Sequence, residues 1–525
     1  MIARRSLTAC KTLALAGLLG SASAALAADE APAFADRCAA ARALLPANVT
    51  LTTLETVAPA PHWQSPTSPT SPKGEAVRAD FCRLAGRIDG DIGFELWLPR
   101  DWNRRFLGTG VGGEAGYYNY ADMARGVEQG FAAASSDTGH RQGERWIDDA
   151  RKSETYAHLA YHRLTQVSKA IIDGFYGAPA AHAYFLGCSG GGRQGLRELQ
   201  LYPGDYDGAL IGAPGLDVPL LAARLLHVHL AQTQGDGVAV SAADWDLVSR
   251  RAIARCDRDD GAVDGIIDDP RSCAFRVEEL ACKPGQSKDC LAPAAVKTIA
   301  NIVAPLTDNS GKTHDFGLLP GITARPGGLP PLPVQMFGHA RHSAGRGDAG
   351  WDPASFDLAA DLAAARKSFA TMDARSADMR TFAARGGKLI LYHGWADASV
   401  QPLSTLDLFA RMGAEAEQDR DAFARLYMVP GMQHCRGGAG TDRFGGSEDR
   451  SATGKPESDL LAALVAWVEQ GTTPGAIFAR HADANGTVTA VRPLCAWPAQ
   501  ASRPKASDAG PAADLRCDSH ARGGT

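Results

Sequence analysis

From about residue 93 the chain alternates short apolar runs with segments of helical period. "GFELWLP" (93–99), "RRFLGTGVGGEAG" (104–116) and "GFAAASSDTG" (130–139) read as strands, the second closing in a glycine-rich turn. Residues 157–177, "AHLAYHRLTQVSKAIIDGFYG", place apolar side chains at helical spacing. A strand "AHAYFLG" (181–187), a helix "RQGLRELQLYPG" (193–204) and a strand "DGALIGAPG" (207–215) follow. Such alternation predicts an α/β fold with a mainly parallel sheet. The pattern breaks at about Leu216, where turn residues, four cysteines and an acidic cluster replace it until Met379. It resumes with "GGKLILYHGWAD" (386–397) and "DAFARLYMVPGMQH" (421–434), each a strand ending in polar residues. The predicted organisation is a core of 28–215 and 380–525 interrupted by an inserted segment, 216–379. Two consecutive independent domains fit less well, because the candidate catalytic residues lie on both sides of the irregular stretch. The Pro/Ser-rich "PHWQSPTSPTSPKG" (61–74) reads as an exposed loop.

The first 27 residues change the compartment. Arg4, Arg5 and Lys11 precede an apolar run that ends in Ala25-Leu26-Ala27, the layout of a secretory signal cut after Ala27. "LTAC", ending at Cys10, looks like a lipid-attachment box, but such a box closes the apolar run and this one precedes it. The mature chain is therefore expected to be secreted or periplasmic. It has no later stretch of ~18 uninterrupted apolar residues, so no membrane span is expected. A net charge of -5 without lysine or arginine runs argues against a nucleic-acid partner. Of 11 cysteines, Cys10 leaves with the signal. The remaining even number in an exported chain points to disulfides.

The chemistry concentrates at "YFLGCSGGGRQG" (184–195). Gly187-Cys188-Ser189-Gly190-Gly191 satisfies G-x-S-x-G between a strand and a helix, the elbow that exposes a serine oxygen at the carboxyl edge of a sheet. There the N–H of Gly190, at a helix N-terminus, can stabilise an oxyanion. Chain order for this arrangement is serine, acid, histidine. Asp397 in "HGWADASVQP" and His434 in "PGMQHCRGG" supply the acid and the base. His393, before Asp397 at the end of the same strand, is the rival base, whereas His227 and His229 in "HVHL" read as packed or solvated rather than metal-ligating. Ser189 and His434 must approach within hydrogen-bonding reach, which brings their neighbours Cys188 and Cys435 close enough for a bridge. The alternative, Cys188 as nucleophile, suits an exported protein with paired cysteines poorly.

"GCSGGGRQG", "HGWADASVQP" and "QHC" together resemble the tannase and feruloyl esterase family, over roughly Trp102 to Trp497. The resemblance implies an α/β-hydrolase core with a large inserted lid domain, a Ser-Asp-His triad, bridged cysteines beside it, and a structural Ca2+. "CDRDDGAVDGIIDDPRSC" (256–273) is similar to the family's calcium loop, which maps onto the side chains of Asp257, Asp260 and Asp264 and the carbonyls of Ala262 and Ile266. Clustered carboxylates with glycines that turn carbonyls inward suit a hard cation. The loop is not an EF-hand, since Gly261 stands at its fifth position. Spacing suggests bridges Cys256 to Cys273, Cys282 to Cys290, Cys38 to Cys82 and Cys495 to Cys517, in agreement with the family pattern, although spacing alone selects no single connectivity. The family's second oxyanion donor comes from an early glycine turn, here "GTGVGGEAG", with Gly112 favoured and Gly113 almost equal; Thr109 and Val111 interrupt the family's commoner run of glycines.

The implied activity is ester hydrolysis on aromatic acids such as feruloyl or galloyl esters, with a terephthalate monoester as the alternative. Arg341 or Arg346 in the inserted segment could meet an anionic substrate group. An aliphatic ester or polyester hydrolase, a serine peptidase and a non-enzymatic calcium-stabilised binding protein are the rival functions.

Overall fold

The computed structural model describes residues 33–60, 63–260, 263–322, 328–343, 350–415, 419–502 and 515–518. The expected signal, 1–27, lies outside them. Nine strands form one sheet: β1 (Val49–Val57), β2 (Phe81–Ile88), β3 (Ile92–Pro99), β4 (Arg105–Thr109), β5 (Ala132–Ser136), β6 (His182–Cys188), β7 (Gly208–Gly212), β8 (Lys388–Gly394) and β9 (Ala424–Val429). Their order is β1-β2-β3-β5-β4-β6-β7-β8-β9. β1, β2, β3 and β5 pair antiparallel, and from β5 through β4 to β9 every pair is parallel.

The apolar runs are continuous rather than alternating because the sheet is covered on both faces. Phe185, Ala209, Ile211, Leu389 and Leu391 enter one core cluster, with Leu164, Ile171, Leu196 and Leu408 from the helices Ala160–Tyr176, Gly190–Leu201 and Pro402–Glu415. The residues between them in sequence, Tyr184, Leu186, Leu210, Ile390 and Tyr392, enter the other, against Leu460, Leu461 and Leu464 of the helix Leu460–Gln470. A period of two thus feeds two cores from each strand.

Between β7 and β8 the described residues contain helices and turns but no strand, among them Val218–Thr233, Ala242–Cys256, Pro293–Val303, Pro331–Ser343 and Leu358–Ser368. Val218, Ala222, Leu226, Met336, Phe337, Trp351 and Phe369 of this segment share a cluster with Val111, Ala115, Trp146 and Tyr156. The insertion is therefore packed on the loop that follows β4. Arg224, held by Asp315, donates to the carbonyls of Ile302 and Ala304, and Gln401 donates to Asp315 at 2.8 Å, joining the insertion to the segment after β8.

Two local expectations change. The serine-rich loop is exposed at Gln64, Pro66, Thr67, Pro69, Pro72 and Lys73, as expected, but its serines Ser65, Ser68 and Ser71 are buried. Their hydroxyls serve the loop itself, with Ser71 donating to Glu75 at 2.6 Å and the amides of Ser71 and Glu75 donating to Ser68 and Ser65. Residues 61 and 62 of that stretch lie outside the described ones. The helix expected from 157 begins earlier, at Ala150, because Asp149 caps it by accepting from the amides of Arg151 and Lys152; it passes through a π turn at Thr155–Leu159.

Candidate active site

Ser189 follows β6 directly and stands at φ 60, ψ -122, a left-handed conformation that costs a non-glycine residue on the order of 1–3 kcal/mol. The small neighbours permit it. A Cβ on Gly191 would sit 2.9 Å from the Gly110 carbonyl carbon, and one on Gly190 would sit 2.8 Å from the Gly113 oxygen. The elbow and the loop after β4 therefore touch backbone to backbone.

That contact is braced from the same motif. Gln194 accepts from the Val111 amide at 3.0 Å and donates to the Val111 carbonyl at 3.1 Å. Arg193, fully buried, donates to the carbonyls of Ala157 and Tyr156, and the Tyr156 hydroxyl donates to the Gly113 carbonyl at 3.0 Å. The Gly110 amide is spent on the Leu186 carbonyl. Among the described residues the N–H groups of Gly112 and Gly113 have no such partner, beside Gly190 at the start of its helix.

Asp397 lies just beyond β8 and His434 just beyond β9, so both reach the same carboxyl edge of the sheet as Ser189. His434 Nδ1 is 2.7 Å from Asp397 Oδ2. A carboxylate only accepts, so Nδ1 carries the hydrogen and Nε2 is left as a base. Asp397 is sealed from solvent while the His434 side chain is 29% exposed, so only the imidazole is offered to a substrate. Asp397 Oδ1 also accepts from the amides of Ser399 (2.7 Å) and Val400 (2.9 Å). Burial acts to raise the Asp397 pKa, but the hydrogen bonds of His393 and His434 outweigh it and hold the group ionised well below the usual carboxylate range.

The rival base has a different place. His393 is fully buried, with Nε2 donating to Asp397 Oδ2 at 3.1 Å and to the Val400 carbonyl at 3.0 Å, and with Nδ1 2.8 Å from the Thr405 hydroxyl. It holds the acid from below and has no path to a substrate. His227 is also occupied, its Nε2 donating to the Asn301 carbonyl.

Cys188 and Cys435 are bridged, with Cα atoms 6.0 Å apart. At about 3.8 Å per residue, this confines the Cα atoms of Ser189 and His434 to within roughly 14 Å of one another. Cys435 is itself left-handed, at φ 64, so each end of the bridge abuts a strained residue. The other bridges are Cys38–Cys82, Cys256–Cys273, Cys282–Cys290 and Cys495–Cys517.

Three residues beside the site carry no sequence signal of their own. Tyr117 donates to the Gly112 carbonyl at 3.3 Å, and Arg436 pairs with Glu448 at 3.0 Å. Burial pushes the Glu448 carboxyl up to about 7, with Arg436 and His434 opposing the rise and Asp122 and Glu75 adding to it. A carboxyl whose folded value exceeds its ordinary 4.5 binds its proton more tightly when folded, so it weakens the fold as pH rises from 4.5 to 7 and by a constant amount above. Glu448→Gln is expected to raise the melting temperature at pH 8, by up to about 2–3 kcal/mol in stability, and to change it little at pH 4. Thermal melts at the two pH values check this.

The inserted segment alters one expectation. Arg341 is held by both oxygens of Asp361, at 3.1 and 2.8 Å, and donates to the Ser355 carbonyl, so its guanidinium is committed within the insertion rather than offered to an anionic substrate. Arg346 lies outside the described residues.

In the acidic loop, Asp257 Oδ1 accepts from the amides of Asp264, Gly265 and Ile266 at 3.1, 3.0 and 3.2 Å. Those bonds wrap the turn around the carboxylate without using Oδ2. Asp264 accepts from buried Arg492 at 3.3 Å, and the same guanidinium pairs with Asp268; Arg492 comes from far along the chain and carries no local signal. Ala262 and the Asp260 side chain lie outside the described residues. The carboxylates of Asp257, Asp264 and Asp268 that gather at this loop are the oxygen donors a hard cation takes.

A mostly parallel sheet with a serine elbow after β6 and an acid and a histidine after β8 and β9 defines an α/β-hydrolase. A family model described as tannase and feruloyl esterase matches residues 75–321 and 342–517. The chain belongs to that family and is a carboxylic ester hydrolase. A protein of Aspergillus terreus named "Probable feruloyl esterase B-2" is 33% identical over 440 residues, 81% of this chain and 83% of the relative. An uncharacterized esterase of Xanthomonas campestris pv. campestris is 32% identical over 487 residues, 82% of this chain and 84% of its own. The crystal structure of feruloyl esterase B from Aspergillus oryzae is similar at TM-score 0.84 and 27% identity, covering 93% of this chain and 100% of that one. Tannin acyl hydrolase from Aspergillus niger shares the fold at TM-score 0.73 and 22% identity, covering 92% and 95%.

Proposed function

We propose that this chain is an exported serine esterase that cleaves esters of phenolic aromatic acids, of the feruloyl or galloyl type. The observation that carries the reading is the Asp397–His434 hydrogen bond, tied through the Cys188–Cys435 bridge to the strained turn of Ser189. Ser189 Oγ attacks the ester carbonyl as its proton passes to His434 Nε2, while Asp397 holds the ring and stabilises the imidazolium. The N–H groups of Gly190 and Gly112 receive the oxyanion, with Gly113 as the neighbouring alternative to Gly112. His434 returns the proton to the departing alcohol, and water then repeats the sequence to release the acid.

An aromatic acyl group is supported by half-buried Tyr117, whose hydroxyl donates to the Gly112 carbonyl beside the oxyanion turn; Trp146, Tyr156, Phe337 and Trp351 behind it are buried core. The names of the relatives point the same way. The insertion, packed on that loop, acts as the lid that sets acyl preference. The five disulfides suit an oxidising compartment, and among the described residues no helix is long and apolar enough to cross a membrane. The test is kcat/KM of the purified enzyme on methyl ferulate, methyl gallate, mono(2-hydroxyethyl) terephthalate, a short aliphatic ester and a peptide amide. Preference for a phenolic ester supports the reading. Preference for the aliphatic ester or the amide sinks it.

A structural Ca2+ would be held by the side chains of Asp257, Asp260 and Asp264 and the carbonyls of Ala262 and Ile266, fixing the loop closed by Cys256–Cys273. Chelation is expected to lower the melting temperature of wild type and to leave that of Asp257→Asn unmoved. Calorimetry with and without Ca2+ reads both.

A further inference from the structure

At the far end of the nucleophile helix lies a second cluster of polar groups. Glu198 falls about 13 Å along the helix axis from Ser189. Its side chain is fully buried, and neither carboxyl oxygen has a hydrogen-bond partner. Facing it are His162, on the helix Ala160–Tyr176, and Asp205, in the turn that leads into β7. One ligand atom from each of the three lies within 4.8 Å of the others. His162 Nδ1 is 2.7 Å from Asp205 Oδ2.

The nearby donors, among them the Lys169 ammonium whose charge acts on Glu198 from a distance, make no hydrogen bond to its carboxyl oxygens. Lys169 Nζ donates to the Asp205 backbone carbonyl at 2.5 Å, and the hydroxyls of Thr165 and Tyr206 pair with each other. The His162 ring is held in place by stacking on Tyr202, 3.7 Å between centroids and 7° between planes, and the Tyr202 hydroxyl is in turn 2.9 Å from His158 Nδ1. A buried carboxylate without a donor is several kcal/mol unfavourable, so a positive species belongs between these acids. Burial and then the Asp205 charge push the Glu198 carboxyl well above its ordinary range, which makes a proton the rival occupant.

We propose that His162, Glu198 and Asp205 form a divalent-cation site of the Zn2+ class. One imidazole with two carboxylates is the mixed N/O donor set that Zn2+ accepts, with water completing the shell, whereas Ca2+ and Mg2+ take oxygen alone. The His162 and Asp205 side chains are 18% and 17% exposed, which leaves an ion a route in. The ion would pin the C-terminal end of the nucleophile helix to the helix Ala160–Tyr176 and to the turn before β7. Its role is structural, since it stands a helix length from the ester.

The test uses the full mature chain, stripped with a chelator and returned to saturating Ca2+ so that the acidic loop is not the variable. ZnCl2 alone is then titrated by calorimetry, and melts are run with and without it. The expected result is one Zn2+ per wild-type chain and a higher melting temperature on adding it. Glu198→Gln and His162→Ala are each expected to bind Zn2+ at least roughly tenfold more weakly and to lose the shift. Should Glu198→Gln fail to fold, His162→Ala and Asp205→Asn carry the comparison. Equal Zn2+ binding by wild type and variants overturns the site. So does a wild type that takes up no Zn2+ and shows no shift while Glu198→Gln melts above it at pH 7, the behaviour of a carboxyl that holds a proton.

Discussion

Ser189→Ala is expected to abolish ester turnover, lowering kcat by roughly 10⁴–10⁶, with the fold intact. The Ser189 side chain makes no capping bond to its helix, and its backbone carbonyl and amide bonds to Arg193, Gly215 and Gly212 survive the change. Alanine at φ 60 bears a strain of the same order as serine, so stability should move little. Asp397→Asn is expected to lose about 10⁴ in kcat for a different reason, because an amide can present its NH2 to His434 and turn the ring to the wrong tautomer. His393 and the two amides on Asp397 would lose a charged acceptor as well, so this variant should also melt lower. The two losses should not add in the double variant, since both groups serve one proton transfer. Initial rates on methyl ferulate with near-ultraviolet circular dichroism separate lost chemistry from lost structure.

The second large effect is expected from the Cys188–Cys435 bridge. It joins residues 247 apart in the chain. A chain-entropy account assigns a loop of that length about 5 kcal/mol. Changing both cysteines to alanine should therefore destabilise the protein by roughly 3–5 kcal/mol and, because the bridge locates the nucleophile against its base, lower kcat/KM by about 10². Cys282–Cys290 is the control. It spans 8 residues within the insertion, so its removal should weaken the fold by no more than about 2–3 kcal/mol and leave the rate alone. Equal rate losses from both double variants would mean that the bridges act only through global stability.

How much of this was legible depends on where each residue finds its partner. G-x-S-x-G is a local motif whose neighbours in sequence are its neighbours in space, so Ser189 and Gly190 stand out at once. Asp397 and His434 follow from chain order and strand ends, which the apolar runs of β8 and β9 mark. The roles of Arg193 and Gln194 do not show, although both lie within the quoted motif, because their partners Tyr156 and Val111 arrive from other elements. His393 illustrates the same limit: a histidine near the triad reads as a possible base until burial places it beneath Asp397. Composition is right about Pro66, Pro69, Pro72 and Lys73 of the Pro/Ser-rich loop, which are exposed, and misleads only at Ser65, Ser68 and Ser71, which are buried because each hydroxyl finds a bond inside the loop. Arg341 looked available to an anion only because Asp361, its partner, lies 20 residues on in the chain.

The most direct test of the account is to find the nucleophile chemically. Wild-type enzyme is treated with an organophosphorus ester, and the adduct is mapped by peptide mass spectrometry while residual activity is followed. The account predicts one equivalent on Ser189, accumulating in step with loss of activity on methyl ferulate and absent from Ser189→Ala. An adduct on another residue, or full activity once Ser189 is modified, would contradict it.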